Sequence, residues 1–148
     1  MPSCWIGVVA GIHVKAAVAG GFAMFSHGRH DAAKKVLPND WAAYYAPREG
    51  LKDGARLRAF TAIGQVLPGE PAEREMLPGL PGWYRRMRWL DAKPAGIYPL
   101  LDAFSFVTNR QHWGMYFRRS LFGIDRRDFA LIADAMGVGS EFGNADQP

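Results

Sequence analysis

A chain of 148 residues, 49% of them hydrophobic and with a mean hydropathy of -0.14, is long enough for one globular domain with its own core and shows no fibrous or disordered signature. Its single cysteine, Cys4, excludes an internal disulfide and any multi-cysteine metal site. The net charge of +4 is unevenly spread: residues 83–127 hold nine Lys or Arg against three Asp or Glu, whereas residues 128–148 hold four acidic residues and no basic one. A basic block rich in aromatics suits a nucleic acid, because phosphates take Lys and Arg and bases take flat faces; a merely solvated basic surface is the alternative. No run approaches the roughly 18 apolar residues of a membrane span, and no basic, apolar leader precedes Cys4, so a cytoplasmic protein is expected.

In chain order, CWIGVVA (4–10) is β-branched and apolar and predicts a buried strand. HVKAAVAGG (13–21) predicts a helix closed by a left-handed glycine. FAMFS (22–26) predicts a second short strand, and 27–40 one helical turn followed by a Pro38-Asn39-Asp40 turn. WAAYYA (41–46) predicts a third strand. Residues 47–55 read as a charged hairpin loop, and RLRAFTAIGQVL (56–67) as a long strand in which Gly64 marks a bulge or a close approach. The proline-rich stretch 68–82 lacks periodicity and reads as a long surface loop. WYRRMRWL (83–90) predicts a half-buried strand with Trp83, Met87 and Trp89 on one face and Arg86 and Arg88 on the other. Residues 98–107 suggest a short helix or turn running into an extended piece, and GMYFRRSLFGI (114–124) a last strand. In IDRRDFALIADAMG (124–137), Asp125 is the N-cap of a helix that buries Phe129, Ile132, Ala133 and Met136. Residues 138–148 read as a disordered tail, leaving one domain over 1–137.

Catalytic motifs are missing. There is no G-x-S-x-G elbow, no Walker A loop and no G-x-G-x-x-G; Gly139-Ser140-Glu141-Phe142-Gly143 has the wrong spacing. Ser26 and His27 are neighbours on an expected strand, so their side chains leave opposite faces and do not form a nucleophile–base pair. A metal site would draw on His27, His30, His112 and a carboxylate such as Asp31, but His27-x-x-His30 alone is a weak zinc signal and reads as two polar loop histidines. Glu70, Glu73 and Glu75 read as a solvated face rather than paired acid and base. No catalytic residue, metal or cofactor is expected. Trp5, Trp41, Phe60 and Trp89 lie mid-strand and belong to the core. Trp83, at a strand start, and Trp113, in the polar loop N-R-Q-H-W-G, are placed to face a ligand.

Four stretches taken together carry a resemblance: WIGVV at Trp5–Val9, GGFAMFSHG at Gly20–Gly28, DWAAYYAP at Asp40–Pro47 and the run from Phe104 to Met136. In order and spacing they are similar to the EVE domain family, whose fold is PUA-like and related to the YTH readers of methylated RNA. The resemblance implies an α+β fold: a PUA-like small β-barrel of about five to six mostly antiparallel strands, with flanking helices and a C-terminal helix. It also implies a non-catalytic module that captures a single modified base of DNA or RNA in an aromatic pocket. That pocket is expected to use Phe22, Met24, Phe25, Ser26, His27, Tyr45, Trp83, His112 and Trp113, with His13 at its rim. The tryptophan of YTH relatives in the second strand is replaced here by Ala23. Phosphates are expected to meet Arg85, Arg86, Arg88, Arg118 and Arg119, and a monomer is favoured over an oligomer. The alternatives are a sensor of a free nucleoside or other small molecule, and an enzyme using His27 or His112 as a base.

Overall fold

A computed structural model describes residues 2–50 and 52–145. Among these residues, eight strands form one curled mixed sheet: β1 (Cys4–Val8), β2 (Phe22–Ala23), β3 (Trp41–Arg48), β4 (Arg56–Val66), β5 (Ala72–Leu77), β6 (Leu80–Trp89), β7 (Ala95–Gly96) and β8 (Leu121–Ile124). The path across it is β2-β6-β4-β3-β1-β8, with β5 added to β6 and β7 to β4. β1 and β3 run parallel, and the other pairs among the described residues are antiparallel. The α-helices described are α1 (Gly11–Gly20), α2 (His30–Lys35), α3 (Arg126–Ala135) and α4 (Gly139–Asn144). Among the described residues no helix is long and apolar enough to cross a membrane. The expected α+β class and small curled sheet hold, with β5 and β7 raising the strand count to eight.

β3 organises the molecule because it is apolar on both faces, as a strand covered from both sides must be. Its side chains alternate. Trp41, Ala43 and Tyr45 join one core with Ile6, Phe60, Ile63, Phe129, Ile132 and Met136. Ala42, Tyr44 and Ala46 join a second with Val14, Ala17, Phe22, Phe25, Val66 and Met87. α1 covers the second core and ends on Gly21, whose left-handed φ of 69° lets its N–H close back on the last helical carbonyls. Asp40, at the entrance to β3, is buried, and its carboxylate accepts N–H bonds from Ser3, Leu37 and the Trp5 indole, each at 2.9 Å. That single carboxylate ties β1, the turn after α2 and β3 together. Gly64 is indeed a point of close approach: a Cβ there would stand 2.5 Å from the Arg88 carbonyl oxygen across the β4–β6 pair.

Four expected elements are corrected. Residues 68–82 are not one long loop: β5 and the start of β6 form a hairpin, with Ala72 opposite Tyr84 and Arg74 opposite Gly82. Its solvated residues Glu73, Arg74 and Glu75 offer no apolar period to detect. FAMFS is extended as a strand only at Phe22–Ala23; Ser26 and His27 turn left-handed, with φ of 50° and 60°. The stretch 114–124 is strand only from Leu121. Before it, Arg110–Arg118 winds into 3₁₀ turns, which set Trp113 and Phe117 on one side so that both rings reach the core (centroids 5.9 Å apart). The hydroxyl of Tyr116 accepts the N–H groups of Thr108 and Asn109 and fixes where that segment starts.

The last correction concerns 138–148. Its described part is not a loose tail. Val138 and Phe142 are 2% exposed, and the Phe142 ring meets Trp41 at 5.1 Å and Phe129 at 5.0 Å. Residues 146–148 lie outside the described residues. α4 is too short to form alone, and the Phe142 ring holds it in place.

Candidate functional site

The carboxyl ends of the parallel pair β1 and β3 open towards one edge of the fold, where four segments meet. Val8 is in register with Tyr45, its N–H donates to the Ser120 carbonyl at 2.9 Å, and the Ser120 hydroxyl meets the Ser26 hydroxyl at 2.6 Å. On the other side of Tyr45, Arg58 of β4 bonds the Tyr98 hydroxyl. A continuous rim therefore runs from Arg58 through Tyr45, Val8 and Ser120 to Ser26. Two of its members, Ser26 and Arg58, and the adjoining His27 hold left-handed φ angles of 50°, 45° and 60°. Such conformations are costly for residues with a Cβ, persist only where the surroundings enforce them, and concentrate at functional sites.

Aromatic groups line this rim at graded depth. Tyr45 is buried and packs on Phe117 (4.5 Å) and Phe60 (5.5 Å). Trp113 is half-buried, edge-on to Tyr98 at 5.6 Å. Tyr98 and Met115 are 46% and 51% exposed. Arg118, Arg119, His27 and His112 are exposed, and the Arg119 guanidinium lies over Phe122 at 4.6 Å. Two surface cations, one guanidinium on a tyrosine, a hydroxyl pair and half-exposed rings make a surface that can grip phosphates and stack a planar group.

Burial pushes the Tyr45 phenol up to about 12, with the neighbouring Arg58 charge opposing the rise. The unfolded phenol titrates near 10, so the native state favours the protonated form. The stability this confers is whole below pH 10, declines as pH rises from there, and is exhausted above about pH 12. Burial raises Tyr44 in the same direction. A chemical-denaturation series from pH 9 to 12 should show the unfolding midpoint falling, and Tyr45→Phe should flatten part of that decline.

The residues expected from sequence divide between several places. Tyr45 and Trp113 share the rim with Ser26, His112 precedes Trp113 on the same 3₁₀ segment, and His27 adjoins Ser26. Tyr45 forms the floor of this site rather than its wall. His13, half-buried in the first turn of α1, follows directly on the same end of β1. Phe22, Met24 and Phe25 are corrected: all three are buried in the second core, on the other face of the sheet from Trp113, and Phe25 packs on Tyr44. Trp83 is elsewhere again, stacked on His30 with centroids 4.0 Å apart.

The five arginines do not make one patch. Arg85 is 4% exposed and donates to the carbonyls of Ala33 (2.9 Å) and Gly69 (2.7 Å). Burial lowers the pKa of this guanidinium, whose task is to tie α2 and the 68–71 turn to β6, so its expected phosphate role is corrected. Arg86 and Arg88 are exposed near the Gln65 end of β4, where Arg88 bonds the Gln65 side chain at 3.1 Å. Along β4, Gln65 is seven residues from Arg58, about 23 Å of extended chain. Arg118 and Arg119 alone are on the segment that forms the rim. Sequence reading missed Arg58, Tyr98 and Ser120. The left-handed Arg58 leaves no trace in residue type, whereas Tyr98, an aromatic beside a proline in a turn, carries a usable hint.

Relatives align with the chain over nearly its whole length. It is 40% identical over 134 residues to the UPF0310 protein YdcG of Bacillus subtilis, covering 90% of this chain and 92% of that one. It is 39% identical over 132 residues to a UPF0310 protein of Mycobacterium avium, with 89% and 96% covered. The chain belongs to the UPF0310 family. A third UPF0310 relative, msl3206 of Mesorhizobium japonicum, is 40% identical over 142 residues, with 93% and 94% covered. No family model matches the UPF0310 chain. Its fold matches the solution structure of Rpa0253 from Rhodopseudomonas palustris (TM-score 0.55, 16% identity, 91% of this chain and 93% of that one). It matches the crystal structure of Atu2648 from Agrobacterium tumefaciens as well (TM-score 0.56, 10% identity, 93% and 94% covered).

Proposed function

We propose that this UPF0310 chain is an EVE-type, PUA-like module that binds nucleic acid and holds one modified base at the end of β1 and β3, without carrying out chemistry on it. The observation that supports this most is the rim itself: Trp113 and Tyr98 stand edge-on and partly exposed, with Arg58 on Tyr98 and Arg118 and Arg119 on the adjoining segment. A base entering there meets ring faces and edges, while the Ser26 and Ser120 hydroxyls offer both donors and acceptors to its polar edge. The left-handed Ser26-His27 turn is the part of the backbone that shapes this entrance.

Salt dependence tests the reading. Binding of single-stranded and duplex oligonucleotides, with and without methylated bases, is measured by fluorescence anisotropy across a series of salt concentrations. The double variant Arg118→Ala/Arg119→Ala should weaken binding to every sequence and reduce the slope of log affinity against log salt by about one unit for each phosphate no longer neutralised. Base-dependent discrimination should survive in that variant and disappear in Trp113→Ala. A wild-type slope near zero, with free nucleoside binding as tightly as the oligonucleotide, gives the site to a small-molecule sensor instead.

A further inference from the structure

A second concavity shares no residue with the rim. It lies between α1, β4 and the segment that leaves β6, is lined by Val18, Thr61, Ala62, Trp89, Leu90, Asp91 and Ala92, and holds about 350 Å³. That volume is in the range that admits small ligands. Val18, Ala62, Leu90 and Ala92 supply an apolar wall. The indole of Trp89 is fixed from behind, its N–H donating to the Phe22 carbonyl at 3.0 Å and its ring packed on Tyr44 at 5.2 Å.

Two polar groups here have no side-chain partner among the described residues. The Thr61 hydroxyl is shielded from solvent and finds no hydrogen-bond partner among the described residues, an arrangement that costs stability. Thr61 lines the cleft, and a polar group on a bound ligand would supply the partner its hydroxyl lacks. Asp91 is exposed and has neither an ion pair nor a side-chain hydrogen bond among the described residues. A carboxylate, a rigid indole face and an unpaired hydroxyl around an apolar wall specify charge and shape together.

We infer that this cleft binds a small organic ammonium, a primary amine on a flat apolar body. The ammonium is held between the Asp91 carboxylate and the Trp89 ring, the amine or a polar substituent satisfies Thr61, and the body covers Val18 and Leu90. The site is independent of nucleic-acid binding.

Tryptamine and indole-3-acetate, which share a ring system and differ in charge, are the probes. Each is titrated calorimetrically into the full chain at low salt. Tryptamine should bind, and indole-3-acetate should bind at least about tenfold more weakly, because its charge repels Asp91. Asp91→Asn should weaken tryptamine roughly three- to tenfold, and Thr61→Val should weaken it to a similar extent. Trp113→Ala and Arg118→Ala/Arg119→Ala should leave tryptamine affinity unchanged whatever they do to oligonucleotides. The proposal is overturned by absence of tryptamine binding, by equal affinity for the two probes, by an unaltered Asp91→Asn variant, or by loss of tryptamine binding in Trp113→Ala.

Discussion

Phe142→Ala should lower the unfolding free energy by about 3–5 kcal/mol, because it empties a fully enclosed site between Trp41 and Phe129. The same ring also receives the Arg126 guanidinium on its face at 4.4 Å, so its removal disturbs the start of α3 as well. Deleting 138–148 should cost at least as much, since it removes Val138 together with Phe142. Urea denaturation followed by tryptophan fluorescence measures both. A variant that unfolds within about 0.5 kcal/mol of wild type would mean that the docking of α4 contributes nothing to folding.

Gly28→Ala carries the second large effect and joins the fold to the site. Gly28 has a φ of 79°, and a Cβ there would stand 2.7 Å from the Gly82 Cα, a backbone atom that can shift only together with its strand. Strain in the left-handed region adds about 1–2 kcal/mol to the clash. A total loss of about 3 kcal/mol is expected. The β5–β6 hairpin must move away from the Ser26-His27-Gly28 turn to admit the methyl group, and the Ser26–Ser120 hydroxyl pair should open with it. Oligonucleotide affinity should therefore fall in step with stability, whereas Gly143→Ala, with open space around its Cβ position, should alter neither.

The strong periods in the sequence are readable, and the structure agrees with them. The apolar run of β3, the stripe Phe129, Ile132, Ala133 and Met136, the Asp125 cap, whose carboxylate accepts the Asp128 N–H at 2.8 Å, and the glycine closing α1 all follow from local rules. Elements without a period are not readable. α4 consists of Gly-Ser-Glu-Phe-Gly-Asn, with a single apolar residue, so nothing local distinguishes it from a solvated tail. The exposed middle of β5 alternates only in charge. The rim is partly legible: Trp113 stands out because an indole in a polar loop needs a reason. Arginine roles are not, since whether Arg85 meets a carbonyl or a phosphate depends on what folds over it. The run Phe22–Phe25 is aromatic for the sake of the second core, and residue type does not say which face of a sheet a ring will take.

β1 lies between β3 and β8: one of its edges pairs with Trp41–Tyr45, and the other with Leu121–Ile124, near the far end of the chain. During synthesis, then, β1 gains its β3 neighbour early, but about 75 further residues separate β3 from β8, which covers the other side. The rings that close over Trp41, Phe129 and Phe142, come later still. Pairing between such distant segments is slow, and an open apolar edge in the interval is a place where nascent chains join one another. The aggregation hazard of this protein thus falls at β1 during translation, and a charge placed on β8 will not relieve it, because that strand has yet to be made.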